Sequence, residues 1–239
     1  MIRFLVSILV FVINVVYRDR PIPRFYVLET VARVPYFSYL SVLHLYESLG
    51  LWRKADWLKV HFAESWNELH HLLIMEALGG DKSWIDRLLS RSVALLYYWI
   101  IVGIYVVNSR AAYHFMEMVE EHAYNTYDKY LQTNEAELKA LPAPEVAVKY
   151  YRDGDLYMFD EFQTSRKPEE RRPAVDNLYD VFVAIRDDEA EHVKTMAACQ
   201  DLDSQTHDMS PHSAASLPAK PTVAVVITPS QAQQEEVTT

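Results

Sequence analysis

A single cysteine, Cys199, is all the thiol in this 239-residue chain, so neither an intramolecular disulfide nor a cysteine-ligated zinc or iron–sulfur site can form. Any metal chemistry must therefore use histidine and carboxylates. Glycine is scarce, at five residues against eleven prolines and sixteen tyrosines. That excludes a Gly-rich phosphate loop and disfavours a turn-rich all-β fold. Positive charge is also short: the net charge of −10 leaves no electropositive footprint for nucleic acid, which is excluded as a partner. No apolar run reaches the roughly 20 residues that span a bilayer. The longest, 93–107 (VALLYYWIIVGIYVV), stops at 15 residues.

Half of the residues are hydrophobic, enough for one substantial core. Helical patterns are separated by breaks at 18–23, 50–53, 79–81, 108–110, 141–144 and 166–173, which leaves four long helices and several shorter ones. The fold class expected is all-α. Beyond residue 200, Ser, Thr, Gln, Pro and Ala dominate and periodicity is lost, so 1–200 reads as the folded domain and 201–239 as a disordered tail. Within that tail, 223–227 has strand character but nothing to pair with. Residues 1–17 are apolar and lack a small-residue cleavage site, so they are expected to persist as an interfacial helix. The tyrosines and tryptophan of 93–107 suit a helix lying in the membrane interface, with a buried core helix as the alternative. Trp52, Arg53, Lys54, Trp57 and Lys59 form a second set of interfacial residue types, and together they favour monotopic attachment to membrane lipid.

Two histidines follow a glutamate by three residues: Glu68 with His71, and Glu189 with His192. That spacing is nearly one helical turn, so each pair presents an oxygen and a nitrogen to one site. Trp57, His61, Glu64, Glu68, His71, Met75 and Leu78 share one stripe, and Leu178, Phe182, Ile185, Glu189, His192 and Met196 share another. A carboxylate on an apolar stripe costs several kcal/mol unless something compensates it, and a cation does so economically. A solvated surface pair remains the alternative for either motif taken singly. A di-iron carboxylate bundle needs two such motifs plus a lone glutamate from each of two other helices. Glu120, on a stripe with Tyr113, Met116, Ala123 and Tyr127, and Glu29, on one with Phe25, Ala32, Tyr36 and Tyr39, fit that need. Four glutamates then balance two ferrous ions, and two neutral imidazoles complete the set.

The strings 24–30 (RFYVLET), 67–71 (NELHH), 119–123 (VEEHA) and 186–192 (RDDEAEH) resemble, in order, the ligand motifs of the alternative oxidase family. Residues 64–71 (ESWNELHH), 141–151 (LPAPEVAVKYY) and 154–166 (GDLYMFDEFQTSR) are similar to its plastoquinol terminal oxidase branch.

The resemblance implies a ferritin-like four-helix di-iron bundle with additional amphipathic helices for monotopic attachment. The activity it implies is quinol oxidation coupled to reduction of dioxygen to water, without proton pumping. Carried over motif by motif, the iron ligands are Glu29, Glu68, His71, Glu120, Glu189 and His192. Tyr127 would stand beside the metals as a redox-active or hydrogen-bonding residue, with core packing as the alternative. Asp188, and Tyr150 or Tyr151, would hydrogen-bond to a ligand. Arg24, Leu28, Ala123 and Thr126 would contact plastoquinol or a related quinol, Arg24 by donating to a quinone oxygen. His122 stands where many members carry a third glutamate, at a position off the ligand face. A homodimer in a thylakoid or bacterial inner membrane is also implied. A ferritin-like iron-storage protein and a di-iron monooxygenase share the ligand logic and are the alternatives.

Overall fold

The computed structural model describes residues 13, 15–51, 55–153 and 175–201. In order, the helices are α1 (Pro21–Ala32), α2 (Val34–Ser48), α3 (Ala55–Ala77), α4 (Trp84–Val107), α5 (Ser109–Ala140), α6 (Glu145–Asp153) and α7 (Leu178–Ala198). The described residues contain no strand, and the all-α expectation holds. The expected break at 166–173, the strand-like 223–227, Trp52, Arg53 and Lys54, the tail beyond 201 and most of 1–17 lie outside the described residues.

Local signals explain the helix boundaries. Asn177 and Asp180 form a reciprocal capping box at the start of α7. Asn108 breaks the chain between α4 and α5 with extended backbone, and its side chain accepts from the Ala111 amide. Gly79 follows α3 at a φ of 83°, a conformation that costs glycine nothing. One break was not anticipated: Arg33 separates α1 from α2. Pro35, in the first turn of α2, has no N–H to donate and crowds the carbonyl four residues back. Arg33 itself stays close to helical geometry, so Phe25, Glu29, Tyr36 and Tyr39 still face one way.

The most extensive packing in the molecule is between α5 and α7. Opposite them, α3 packs on both α1 and α2, and α4 lies along α1 and α2. One apolar cluster includes Phe25, Ile74, Met75, Tyr127, Phe182 and Ile185; a second includes Tyr39, Trp57, Tyr105, Tyr113, Met116 and Met196. Along all four ligand-bearing stripes the Glu and His residues fall between members of these clusters, so the bundle encloses a polar slab between two apolar ones. The glycine at 80 sets the approach of α1 to α3. A Cβ there would meet Tyr26 Cβ at 2.6 Å and the Met75 carbonyl at 2.9 Å.

Trp57 is a correction. It is 1% exposed and belongs to the second apolar cluster, so it does not face an interface. Its place on the ligand stripe, one turn before His61, outweighs its residue type. The apolar run at 93–107 extends to a 24-residue helix, because Asp86, Arg87 and Arg91 sit in its first turns. By length and composition α4 can cross a membrane, and only 17% of its most apolar stretch is buried. Trp84, Leu88, Leu95, Leu96 and Trp99 are exposed along it, while Ile101 and Tyr105 turn inward.

Candidate metal centre

All six sequence-predicted ligands converge, and each is 2% exposed or less. Glu29 comes from α1, Glu68 and His71 from α3, Glu120 from α5, and Glu189 and His192 from α7. They form two overlapping sets, Glu29, Glu68, His71 and Glu189 in one and Glu68, Glu120, Glu189 and His192 in the other. Within each set the potential ligand atoms lie within 4.8 Å of one another. Glu68 and Glu189 belong to both sets. The sequence proposed the six residues but could not say which carboxylates fall in both sets, because that depends on how the helices face each other.

Histidine Nδ1 atoms point into the cluster. His71 Nδ1 is 3.7 Å from Glu29 Oε2, 3.7 Å from Glu68 Oε1 and 3.3 Å from Glu189 Oε1. His192 Nδ1 is 2.9 Å from Glu68 Oε1, 3.8 Å from Glu120 Oε1 and 3.6 Å from Glu189 Oε2. Despite this proximity, both oxygens of Glu68 and of Glu189, one oxygen each of Glu29 and Glu120, and His71 Nδ1 make no hydrogen bond. Lone pairs converge without the alignment that N–H donation requires. Buried acceptors aimed at common points need a cation, and this donor set of carboxylates and imidazoles fits two divalent metal ions.

The electrostatics agree. Burial and the neighbouring Glu68 and Glu189 push the carboxyl of Glu29 well above the usual carboxylate range, and burial with Glu189 and Glu68 does the same to Glu120. Burial also opposes ionisation of Glu189, but His192 and His71 outweigh it and hold that group low. Burial disfavours charged His71 and His192, yet Asp188 and Glu189 around the first, and Glu189 and Glu68 around the second, raise both. The cluster attracts positive charge from every side.

Neighbouring groups fix the ligands. Tyr127, for which the resemblance implied a redox-active or hydrogen-bonding role, donates to Glu29 Oε1. Tyr36, to which the sequence assigned no role, donates to Glu120 Oε1. On the outer side, His71 Nε2 is 3.1 Å from Asp188 Oδ2, which also accepts from Tyr151 at 2.8 Å and Asn67 at 2.9 Å. Asn67 donates to Tyr150 at 2.7 Å as well. The sequence pointed to Asp188, Tyr150 and Tyr151; Asn67 was missed, though it immediately precedes Glu68 as Asp188 immediately precedes Glu189.

Arg24, Leu28, Ala123 and Thr126 do not share one cavity. Leu28 and Ala123 line an apolar cavity of about 200 Å³ that reaches Glu29 and is lined on its α4 side by Leu89 and Val93. Arg24 and Thr126 line an adjoining groove of about 490 Å³. His122 lines both. It is the residue that reasoning about the ligand face set aside. Asp86 helps position this wall: Arg20 forms a salt bridge to it and the Tyr17 hydroxyl donates to it at 3.1 Å.

The family model for alternative oxidase matches residues 2–201. The chain belongs to the alternative oxidase family. It is 61% identical over 210 residues to the ubiquinol oxidase 4, chloroplastic/chromoplastic, of Arabidopsis thaliana, covering 88% of this chain and 59% of that protein. It is 31% identical over 170 residues to the mitochondrial ubiquinol oxidase of Mangifera indica, covering 71% of this chain and 47% of the relative. A mitochondrial ubiquinol oxidase 2 of Glycine max is likewise 31% identical over 170 residues, with 71% and 45% covered. The chain thus spans about half the length of the curated relatives it matches. The six residues expected from the sequence as ligands lie on the inward faces of α1, α3, α5 and α7.

Proposed function

We propose that this protein is a di-iron quinol oxidase that oxidises two quinols to two quinones while reducing one dioxygen to two waters. The observation that carries the proposal is the doubly shared cluster of four glutamates and two histidines beside an apolar cavity that touches Glu29. Two irons held there would accept electrons one at a time and supply the site of oxygen reduction. The protein's own contribution is positional. Glu68 and Glu189 would contribute to both metal positions and Glu29 and Glu120 to one each, while Asp188 fixes the ring of His71. Leu28, Val119 and Ala123 provide apolar walls for a quinol ring and exclude water.

Arg24 is the group proposed to orient the head group. Its Nε is buried without a hydrogen-bond partner, and burial depresses its basicity. A quinone oxygen projecting from the apolar cavity past His122, which lines both spaces, into the Arg24 groove would supply the missing acceptor. Plastoquinol is the proposed substrate from the resemblance of residues 64–71, 141–151 and 154–166 to the plastoquinol branch, and ubiquinol is tested beside it because the chloroplastic relative is named a ubiquinol oxidase.

Membrane attachment is proposed through the exposed face of α4, whose Trp84, Leu88, Leu95, Leu96 and Trp99 suit the lipid interface. Because α4 also packs along α1 and α2, it would lie against one leaflet, and the quinol cavity behind Leu89 and Val93 would then open towards lipid. The chloroplastic relative supports a plastid membrane, and within it the thylakoid is the proposed location. A homodimer is proposed from the family alone.

The decisive experiment is oxygen-electrode turnover of the iron-loaded full chain with plastoquinol and with ubiquinol, together with an iron count and product analysis. Oxygen uptake with quinone and water as products is expected. Bound iron with no quinol-dependent oxygen uptake would overturn the proposal, and an oxygenated organic product would favour a monooxygenase.

A further inference from the structure

Beyond the ligand cluster, towards the start of α3, lies a second buried polar row that the proposed chemistry does not use. His61 Nε2 is 2.9 Å from the Tyr113 hydroxyl, and His61 Nδ1 is 3.1 Å from Glu64 Oε2. The Tyr113 hydroxyl is 2.7 Å from that of Tyr105. All four side chains are 2% exposed or less. With Glu64 ionised and His61 neutral, one proton arrangement satisfies every contact. Tyr105 donates to Tyr113, Tyr113 donates to His61 Nε2, and His61 Nδ1–H donates to Glu64.

This arrangement lowers the barrier to one-electron oxidation of a phenol. A tyrosine stripped of an electron is strongly acidic, so a pre-aligned base that takes its proton in the same step makes the oxidation easier. His61 is that base for Tyr113, and Glu64 is placed to stabilise the imidazolium that results. Rings in tilted and edge-to-face contact also connect the row to the ligand cluster. The His192 and Tyr36 ring centroids are 5.4 Å apart, those of Tyr36 and Tyr39 are 6.4 Å apart, and those of Tyr39 and Tyr113 are 4.9 Å apart.

We propose that Tyr113, with His61 as its proton acceptor, is a redox-active tyrosine that reduces one-electron oxidants arising in the ligand pocket. Tyr113 passes one electron by way of Tyr39 and Tyr36 to the oxidant. Its O–H bond breaks and an N–H bond forms at His61 Nε2, leaving a neutral phenoxyl beside an imidazolium paired with Glu64. The oxidant is a partially reduced oxygen species; a hydroxyl radical, for example, becomes hydroxide by taking that electron. This source of oxidant rests on the oxidase reading above. An electron from a later quinol restores the phenol as the proton returns from His61.

The test uses the full chain in detergent, oxidised by flash-generated tris(bipyridine)ruthenium(III), which depends on neither bound iron nor quinol, and trapped for electron paramagnetic resonance. The expected result is a neutral tyrosyl signal, narrowed by ring-deuterated tyrosine, with a slowly decaying component that disappears in Tyr113→Phe. That component should decay about a hundredfold faster in His61→Gln and in Glu64→Gln, the scale of a lost proton-transfer partner. A slow component that survives Tyr113→Phe overturns the assignment, as does one indifferent to both His61→Gln and Glu64→Gln. Circular dichroism identifies any variant that fails to fold, and the remaining ones then decide. The reduced, iron-loaded protein given dioxygen without quinol separates this inference from the oxidase reading. The same signal there ties Tyr113 to oxygen reduction. Its absence in protein that consumes oxygen with quinol overturns the role of Tyr113 as reductant of oxidants from the pocket, whereas protein that shows no quinol-dependent oxygen uptake counts against the oxidase reading.

Discussion

The Tyr36 hydroxyl donates to Glu120 Oε1 across 2.5 Å, and on the opposite side of the cluster Tyr127 donates to Glu29. Each carboxylate that belongs to one half of the site is thus held by one tyrosine. Tyr36→Phe should keep the fold and weaken iron binding by about 10- to 100-fold, as loss of a group that orients a ligand does. Competition against a calibrated chelator measures this, and an unchanged affinity would reduce Tyr36 to packing.

The sharing of Glu68 and Glu189 gives the ligands unequal weight. Glu29→Ala and Glu120→Ala should each retain about one iron per chain, because all four ligands of the other half survive. Glu68→Ala and Glu189→Ala damage both halves and should retain close to none. Elemental analysis of protein purified in iron-replete buffer distinguishes the two classes. Equal loss in all four variants would contradict the shared arrangement.

Asp188→Asn removes the charged acceptor that faces His71 Nε2 and receives Tyr151 and Asn67. Iron affinity should fall about 10- to 100-fold in the half held by His71, with the other half less affected. Mössbauer spectra of partly loaded protein would report unequal occupancy, and equal occupancy in this variant would argue against the assignment.

Gly80→Ala inserts a Cβ where Tyr26 and the Met75 carbonyl already stand. Overpacking of this kind costs about 1–3 kcal/mol. Since it forces apart α1 and α3, which carry three of the six ligands, iron content should fall along with the melting temperature. Thermal denaturation in detergent, with and without chelator, reads both effects; a wild-type melting temperature would show that the helices give way freely.

Asp86 supplies a pH dependence away from the metals. Burial opposes its ionisation, but Arg20 and Tyr17 outweigh that and hold its carboxyl below the usual value. Tyr17 in turn is pushed up to about 12 by burial and by Asp86. A depressed carboxylate stabilises the fold above its unfolded pKa of about 3.9 and loses that contribution as acid carries the pH down through the folded value. Asp86→Asn should therefore be less stable than wild type at about pH 7, with the gap closing below about pH 3.9. Arg20 is half exposed, so solvent screening keeps the effect modest. Chemical denaturation at the two pH values tests it, and a gap independent of pH would assign the effect to packing.

Much of this site was legible because a helix writes its inward face at a fixed period. Glu29, Glu68, Glu120 and Glu189 each interrupt an apolar stripe, and all four are buried as that pattern requires. Periodicity names a face but not the helix opposite, so the sharing of Glu68 and Glu189 and the hydrogen bonds of Tyr36 and Asn67 were out of reach. Trp57 was misread for a related reason: its residue type suits an interface, and only the packing of α2, α4 and α5 around it places it in the core. Arg33 ends α1 through Pro35, a signal that was present but hidden by the continuity of the stripe across it.

The apolar cavity behind α4 meets Glu29 and does not reach Glu120. Among the described residues, two halves alike in their ligands and in their tyrosines are therefore unlike in access, because this cavity reaches the Glu29 half alone. A molecule entering by this cavity would meet the Glu29 half before the Glu120 half, so the order of approach would be set by the walls rather than by the ligands.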